Sequence, residues 1–364
     1  MKGTPAAWLF EQGTRRETMA PNFQLRLFDE SADLENVVRF YNETFGPLRP
    51  YYSWPITLER FRDKVLSCWE YRREGIWIAL HSDRLIGFAL GCCRSRALTA
   101  TDTPRQAAHV SVIGVDPKYQ RQGVGRALYE KVEEFARSNG AEMITATCNP
   151  MSPMAFFIAP QDDWKASHAF FNAMGLDLKG VDQNLVQSLV GFDLDHAAKQ
   201  KIKQFEAEGC ECRTYEERDY AGLMKLLEHN DWPFWQLDIL SKIDKPTETR
   251  PFIETCFLGC ATGEIYGPDE IGVVVKDGNV LSFCVQTISR EKRFAYAGPV
   301  MTHPDMENRG LGYVTMQISL RRAAEKGAIM CDVWTGSDGH RSHFYRKCGF
   351  QPMLRWPRFE KNLD

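Results

Sequence analysis

The sequence predicts an α/β chain, of the α+β kind, in which one succession of strands and helices occurs twice in tandem. A glycine-bearing segment recurs. Val115-Asp-Pro-Lys-Tyr-Gln-Arg-Gln-Gly-Val-Gly125 has a partner in Thr302-His-Pro-Asp-Met-Glu-Asn-Arg-Gly-Leu-Gly312, with the proline six residues ahead of the first glycine in both. Each copy follows a β-rich run, Ala108–Val115 or Phe294–Thr302, and precedes a helix-like run free of interior glycine and proline. The length of 364 residues also exceeds one ordinary domain.

Residues 1–21 read as a mobile leader. Its apolar stretch, Ala6–Phe10, is too short for a signal-peptide core, and Met19 offers a second start. The N-terminal unit, 22–195, opens with a strand at Gln24–Phe28 and a helical stretch. Strands at Ile76–His81 and Leu85–Cys92 follow, joined by Ser82-Asp83-Arg84, which is turn chemistry. After the first glycine segment, Val124, Ala127, Leu128, Val132, Phe135 and Ala136 form one helical stripe, and Asn139-Gly140 stops it. A strand over Glu142–Cys148 and a second helix lead to Gly175-Leu176.

A charged, helix-prone stretch, 196–209, carries Lys199, Lys201, Lys203, Glu206 and Glu208 and is expected to link the units. The C-terminal unit, 210–364, repeats the order. It has a strand at Cys212–Tyr215, then the strand pair Ile271–Val275 and Val280–Thr287 around Asp277-Gly278-Asn279. The second glycine segment, a helix, a strand at Ala328–Thr335 and a last helix before Gly349-Phe350 complete it. The helix after its glycines sets Leu311, Val314 and Ile318 on one face, with Met316, Leu320 and Ala323 beside them.

Composition excludes several classes. Apolar residues make up 43% and charged residues 26%, as in soluble globular proteins. The net charge of −3 gives no basic field to draw nucleic acid or acidic lipid. No apolar run reaches the roughly 18 residues of a membrane span. The 11 cysteines, several inside apolar strands, read as reduced core cysteine in a cytoplasmic protein. Cys210-x-Cys212 with Cys256-x-x-x-Cys260 lacks the two-residue spacing of zinc knuckles, so no metal is expected.

A glycine pair between a strand and a helix makes an anion site, because the helix N-terminus offers unpaired N–H groups and glycine lets the anion approach. A dinucleotide fingerprint needs a third glycine, where Leu128 and Thr315 stand, and no Gly-Lys-Ser/Thr follows to make a P-loop. Gln120-Arg-Gln-Gly-Val-Gly125, after a strand and Val-Asp-Pro, resembles the pyrophosphate-binding signature of the GNAT superfamily, Gln/Arg-x-x-Gly-x-Gly/Ala. Glu307-Asn-Arg-Gly-Leu-Gly312 matches it except at Glu307. Phe344-Tyr-Arg-Lys-Cys-Gly-Phe350 is similar to the family's later aromatic-Tyr-x-x-x-Gly-Phe motif.

The resemblance covers nearly the whole chain and implies two tandem GNAT folds, each a mixed central sheet that splays between its fourth and fifth strands to admit an acyl-CoA. It implies that the backbone of Ile113, Gly114 and Val115, and of Val300, Met301 and Thr302, holds the pantetheine and the acyl carbonyl. It places the pyrophosphate on Arg121, Gln122, Gly123, Val124, Gly125 and Arg126, and on Asn308, Arg309, Gly310, Leu311, Gly312 and Tyr313. Asp338 stands where the family often has an asparagine on the pantetheine arm, and Tyr345 where many members keep the acid that protonates the leaving thiolate. The first half has Phe171 there. In exchange it has His109, at the offset of the family's glutamate base, where the second half has Tyr296.

Aromatic, proline-bearing loops at 50–55 and 230–235 are expected either to face the acceptor or to pack as an interdomain contact, and the long apolar stretch 149–164 either to cover a cleft or to dock on the other half. The expected activity is transfer of acetyl from acetyl-CoA to a primary amine of a small molecule, by a monomer with an internal pseudo-dimer or by a homodimer. The alternatives are a CoA-binding scaffold with degenerate sites, or one active and one degenerate half as in mycothiol-synthase-like tandem enzymes.

Overall fold

The computed structural model describes residues 23–45, 56–67, 72–93, 107–146, 162, 164–229, 239, 268–289, 293–336 and 339–363. In the first half, β1 (Gln24–Leu27) and α1 (Glu30–Phe45) precede β2 (Ile76–His81) and β3 (Arg84–Cys93). β4 (Ala107–Val115), α2 (Val124–Ser138), β5 (Met143–Ala146), α3 (Lys165–Ala173) and β6 (Asp177–Ser188) follow. After α4 (His196–Ala207), the second half repeats the order with β7 (Glu211–Thr214), α5 (Tyr220–Leu227), β8 (Gly272–Lys276), β9 (Asn279–Ser289) and β10 (Phe294–Thr302). It ends with α6 (Leu311–Glu325), β11 (Met330–Gly336), α7 (His340–Lys347) and β12 (Gln351–Asn362). The expected tandem α/β architecture is present.

The hairpins form where the turn residues require them. Ser82 and Asp83 both take positive φ, 47° and 63°, as do Asp277 and Gly278, at 49° and 74°. Two left-handed central residues give the turn whose twist matches that of paired strands.

The two halves share one sheet of twelve strands, in the order β1-β2-β3-β4-β5-β12-β6-β11-β10-β9-β8-β7. The final strand of each repeat therefore completes the sheet of the other. β12 runs antiparallel to β5, β6 runs antiparallel to β11, and the two exchanged strands pair with each other. The cores follow the strands. Phe359 of β12 packs with Val132, Phe135 and Phe171 of the first half, while Leu185 of β6 packs with Met316, Leu320 and Tyr345 of the second.

Asp182 and Trp356 lie seven residues past Gly175 and Gly349, the matched glycines of the two repeats, and they pair directly. The local two-fold axis thus passes through this pair. On the same strands Asn184 donates from Nδ2 to both Asp332 oxygens, at 2.9 and 2.8 Å, and accepts from Trp356 Nε1. All three residues are buried, so the seam is a satisfied polar network rather than an apolar contact.

Asp182 is the exception at the seam. Burial pushes its carboxyl up to about 6; Glu360 adds to this and Arg358 opposes it. A carboxyl with a raised folded value binds its proton more tightly in the native state, so stability falls as pH rises from about 4 to 6 and stays reduced above that. Asp182→Asn is expected to stabilise the protein at pH 7–8 by on the order of 2 kcal/mol and to have little effect near pH 4. Thermal melts across that range test this, and an equal effect at both ends would refute it.

Candidate active site

The sheet opens at corresponding places in the two halves. β4 pairs in parallel with β5 only over Ala107–His109 against Met143–Thr145. β10 pairs with β11 only over Phe294–Tyr296 against Met330–Asp332. Beyond Tyr296 the strands of the second half part, while β10 runs on to Thr302; in the first half the pairing among the described residues ends at His109, with β5 described to Ala146 and β4 running on to Val115. Each diverging strand also carries a bulge against its other neighbour, between Leu90 and Gly91 of β3 facing β4 and between Ala297 and Val300 of β10. Tyr296 thus stands at the vertex of an opening in the sheet, and His109 at the corresponding rung of the first half, one strand end away from Val300–Thr302 and Ile113–Val115 respectively.

The glycine loops match each other in backbone. Arg121 and Asn308 share a φ of 61°, and Gly123 and Gly310, at 89° and 95°, cap α2 and α6. A side chain at either glycine would be strained. In the first half Gln120 donates to the Val115 carbonyl at 3.1 Å, and Gln122 to that of Lys118 at 2.9 Å, which ties the loop to the strand end.

The surroundings of the two loops differ. A Cβ built on Gly123 meets nothing within 4 Å, whereas one on Gly310 would come within 2.8 Å of Lys201 Cε. Lys201 lies on α4 and donates to the Arg309 carbonyl at 3.1 Å. Glu208, just past the helix, pairs with Arg309 at 2.8 Å, and Asp195, which caps the start of α4, accepts from the Tyr313 hydroxyl. The linking helix is therefore not a solvated spacer. Its Phe205 and Ile202 pack with Leu311, Val314 and Ile318, so α6 is covered on that side by α4 and on the other by the sheet and α7. Arg309 pairs with Glu208, and Glu307 is exposed. By contrast α2 keeps Arg126 and Glu130 exposed.

The candidate catalytic residues are far apart in character. His109 is half-buried, and its Nδ1 lies 2.6 Å from Thr145 Oγ1 on the facing strand. Tyr345 is buried among Phe344, Phe350 and the α6 side chains, with ring centroids 5.2 and 5.9 Å from the two phenylalanines. Burial pushes its phenol well up from its ordinary value, with smaller contributions from Cys284 and Cys348. The equivalent of Thr145 is Asp332, whose carboxylate is held by Asn184.

Asp338, the acceptor loops at 50–55 and 230–235, and the stretch 149–164 except for Asp162 and Trp164 lie outside the described residues, as do Cys256 and Cys260. Of the cysteine grouping, Cys210 and Cys212 are described and free, and burial pushes the Cys212 thiol up to about 12. Among the described residues no helix is long and apolar enough to cross a membrane.

Sequence reasoning missed Thr145, the Asn184–Asp332–Trp356 network and the docking of α4. For α4 a signal existed in Ala198, Ile202 and Phe205, which fall on one face of an otherwise charged helix.

Comparison with known proteins gives the following. The model of the "Acetyltransferase (GNAT) family" matches residues 34–155 and again 229–350. No curated protein matches the sequence significantly. Among solved structures, the chain is similar to a GCN5-related glucosamine N-acetyltransferase region of a fungal multi-domain GH3 β-N-acetylglucosaminidase, at 16% identity and a TM-score of 0.70 over 96% of this chain. The match spans 39% of that longer protein. It is also similar to a tandem GNAT protein from the clavulanic acid biosynthesis pathway, at 16% identity and TM-score 0.60, over 94% of this chain and 98% of that one. A GCN5-related N-acetyltransferase from Sphaerobacter thermophilus matches at 12% identity and TM-score 0.57, over 95% and 97%.

Proposed function

This chain belongs to the GNAT family of acetyltransferases, and from that premise we propose that it carries acetyl from acetyl-CoA to a primary amine of a small molecule, with the donor held by the N-terminal half. The observation that carries the choice of half is the contrast between the loops: Gly123 opens on free space, and Gly310 lies under Lys201. Arg121 and Arg126 flank the open loop without a carboxylate among their described ion pairs, while Arg309 and Tyr313 are engaged by Glu208 and Asp195.

The diphosphate would sit against the N–H groups at the start of α2, and the pantetheine would follow β4 toward His109. The neutral amine attacks the thioester carbonyl, the C–N bond forms, and the C–S bond breaks. The amine's proton leaves to solvent or a base, and the thiolate takes up a proton. On this reading the C-terminal half serves the site through β12, and Tyr345 is a packing residue. The charge balance of −3 favours a small acceptor over a nucleic acid, and free cysteines suit the cytoplasm.

Titration with acetyl-CoA, read by native mass spectrometry and by amide hydrogen exchange, tests the reading. One donor per chain is expected, with protection confined to 120–126. Two donors per chain, or protection at 308–313 alone, would overturn it.

A further inference from the structure

We propose that α4 is a stopper on a second donor site: the C-terminal half keeps a diphosphate loop able to take an acyl-CoA, and Lys201 of α4 holds it shut. This rests on the donor lying in the N-terminal half. The second half carries the parts that reading uses in the first. β10 and β11 are bonded only up to Tyr296 and Asp332, and both strands run on, to Thr302 and Gly336. The loop after β10 repeats the backbone of the first loop. It has a short helical turn at Pro304–Met306, as at Pro117–Tyr119, a φ of 61° at Asn308, as at Arg121, and a glycine of positive φ capping the helix. A loop of that shape turns N–H groups toward an anion.

What differs is α4. A Cβ on Gly310 would meet Lys201 Cε at 2.8 Å, Cδ at 3.0 Å and Nζ at 3.1 Å, whereas one on Gly123 meets nothing within 4 Å. The end of one side chain thus fills the space over the second glycine. The Lys201 ammonium is spent on the Arg309 carbonyl, and the Arg309 guanidinium on Glu208. Two cations beside a helix N-terminus are thereby turned away from the anion they would attract.

The sequence of α4 sets it there. Ile202 and Phe205 pack on Leu311, Val314 and Ile318, and Asp195 caps α4 while accepting from the Tyr313 hydroxyl. Counted from the capping glycines, Ile318 matches Lys131 of α2, so the first half has a lysine where this seat needs an apolar side chain. Lys131 pairs with Glu134 and lies 5.0 Å over the Trp77 ring. The apolar seat holds α4, but the contacts over the loop are side-chain tips, and exposed ion pairs are weak. A donor at this loop binds only the fraction of molecules in which Lys201 has swung aside, and its apparent affinity falls by that fraction. The linking helix thereby limits how many donors one chain carries.

The test counts acetyl-CoA on the full-length protein by native mass spectrometry, at a concentration that fills the first site, and locates it by amide hydrogen exchange. The wild type is expected to hold one donor. Lys201→Ala clears Gly310, leaves the apolar seat intact, and is expected to hold two, with new protection at 308–313 beside that at 120–126. Adding Glu208→Gln frees Arg309 and is expected to tighten the second site. Lys199→Ala, at an exposed position of the same helix, is expected to hold one. Retained protection at 120–126 shows that each variant has folded. One donor on both Lys201→Ala and the double variant, or a second donor on Lys199→Ala as well, overturns the inference and leaves the donor site of the first half in place. Two donors on the wild type fail the proposed function first, and the two failures are thereby distinguished.

Discussion

Deleting residues 351–364 is expected to abolish the cooperative unfolding transition of both halves. β12 is an interior strand, bonded to β5 on one side and β6 on the other. Its removal strips Phe359, 1% exposed, from the core of the first half and Trp356, 2% exposed, from the polar network at the seam. Loss of a large buried aromatic costs about 3–5 kcal/mol, and a whole domain is stable by only about 5–15. The deletion would also expose the edges of β5 and β6, which invite pairing with other chains. Circular dichroism melts and gel filtration measure the outcome. A monomeric deletion variant with a sharp transition would show that neither half depends on the exchanged strand.

The second large effect concerns the two candidate catalytic residues. On the proposed reading His109→Ala is expected to lower turnover by about 10²–10³-fold, the order expected for losing an acid–base or hydrogen-bonding group at the reacting centre, with acetyl-CoA affinity nearly unchanged. Tyr345→Phe is expected to leave turnover within about twofold, because a ring held in the core of the half with the covered loop keeps its packing without its hydroxyl. Turnover is read as free thiol released from acetyl-CoA in the presence of a panel of primary amines. The reverse pattern, a silent His109→Ala with a Tyr345→Phe loss of about 10²-fold or more, would move the chemistry to the C-terminal half.

Much of each half was legible because its signals are local. The residues at Ser82-Asp83 and Asp277-Gly278 demand left-handed backbone and so mark the hairpins. The prolines ahead of Gly123 and Gly310 and the glycines themselves fix two loops of the same shape. Even the double covering of α6 was present in its two apolar stripes, Leu311–Val314–Ile318 and Met316–Leu320–Ala323. The strand exchange was not legible. β6 and β12 read as extended runs at the end of each repeat, and strand periodicity says which face is buried but not which neighbour it meets. Thr145 escaped notice for a similar reason: one threonine in a strand is ordinary, and only the register with His109 brings the two side chains together.

The exchanged strand also has a consequence in time. Chains are made from the amino end at about 5–20 residues per second, and domains ordinarily fold as they emerge. Here the first half cannot close its sheet until β12 has left the ribosome; the Lys361–Glu133 ion pair alone joins positions 228 residues apart. A nascent chain halted anywhere before β12 has the glycine loop, the histidine and the threonine, yet no completed cleft to place them in. On the proposed reading, the donor site would be complete only once synthesis has run through the second repeat, and shorter copies would hold an unfinished sheet.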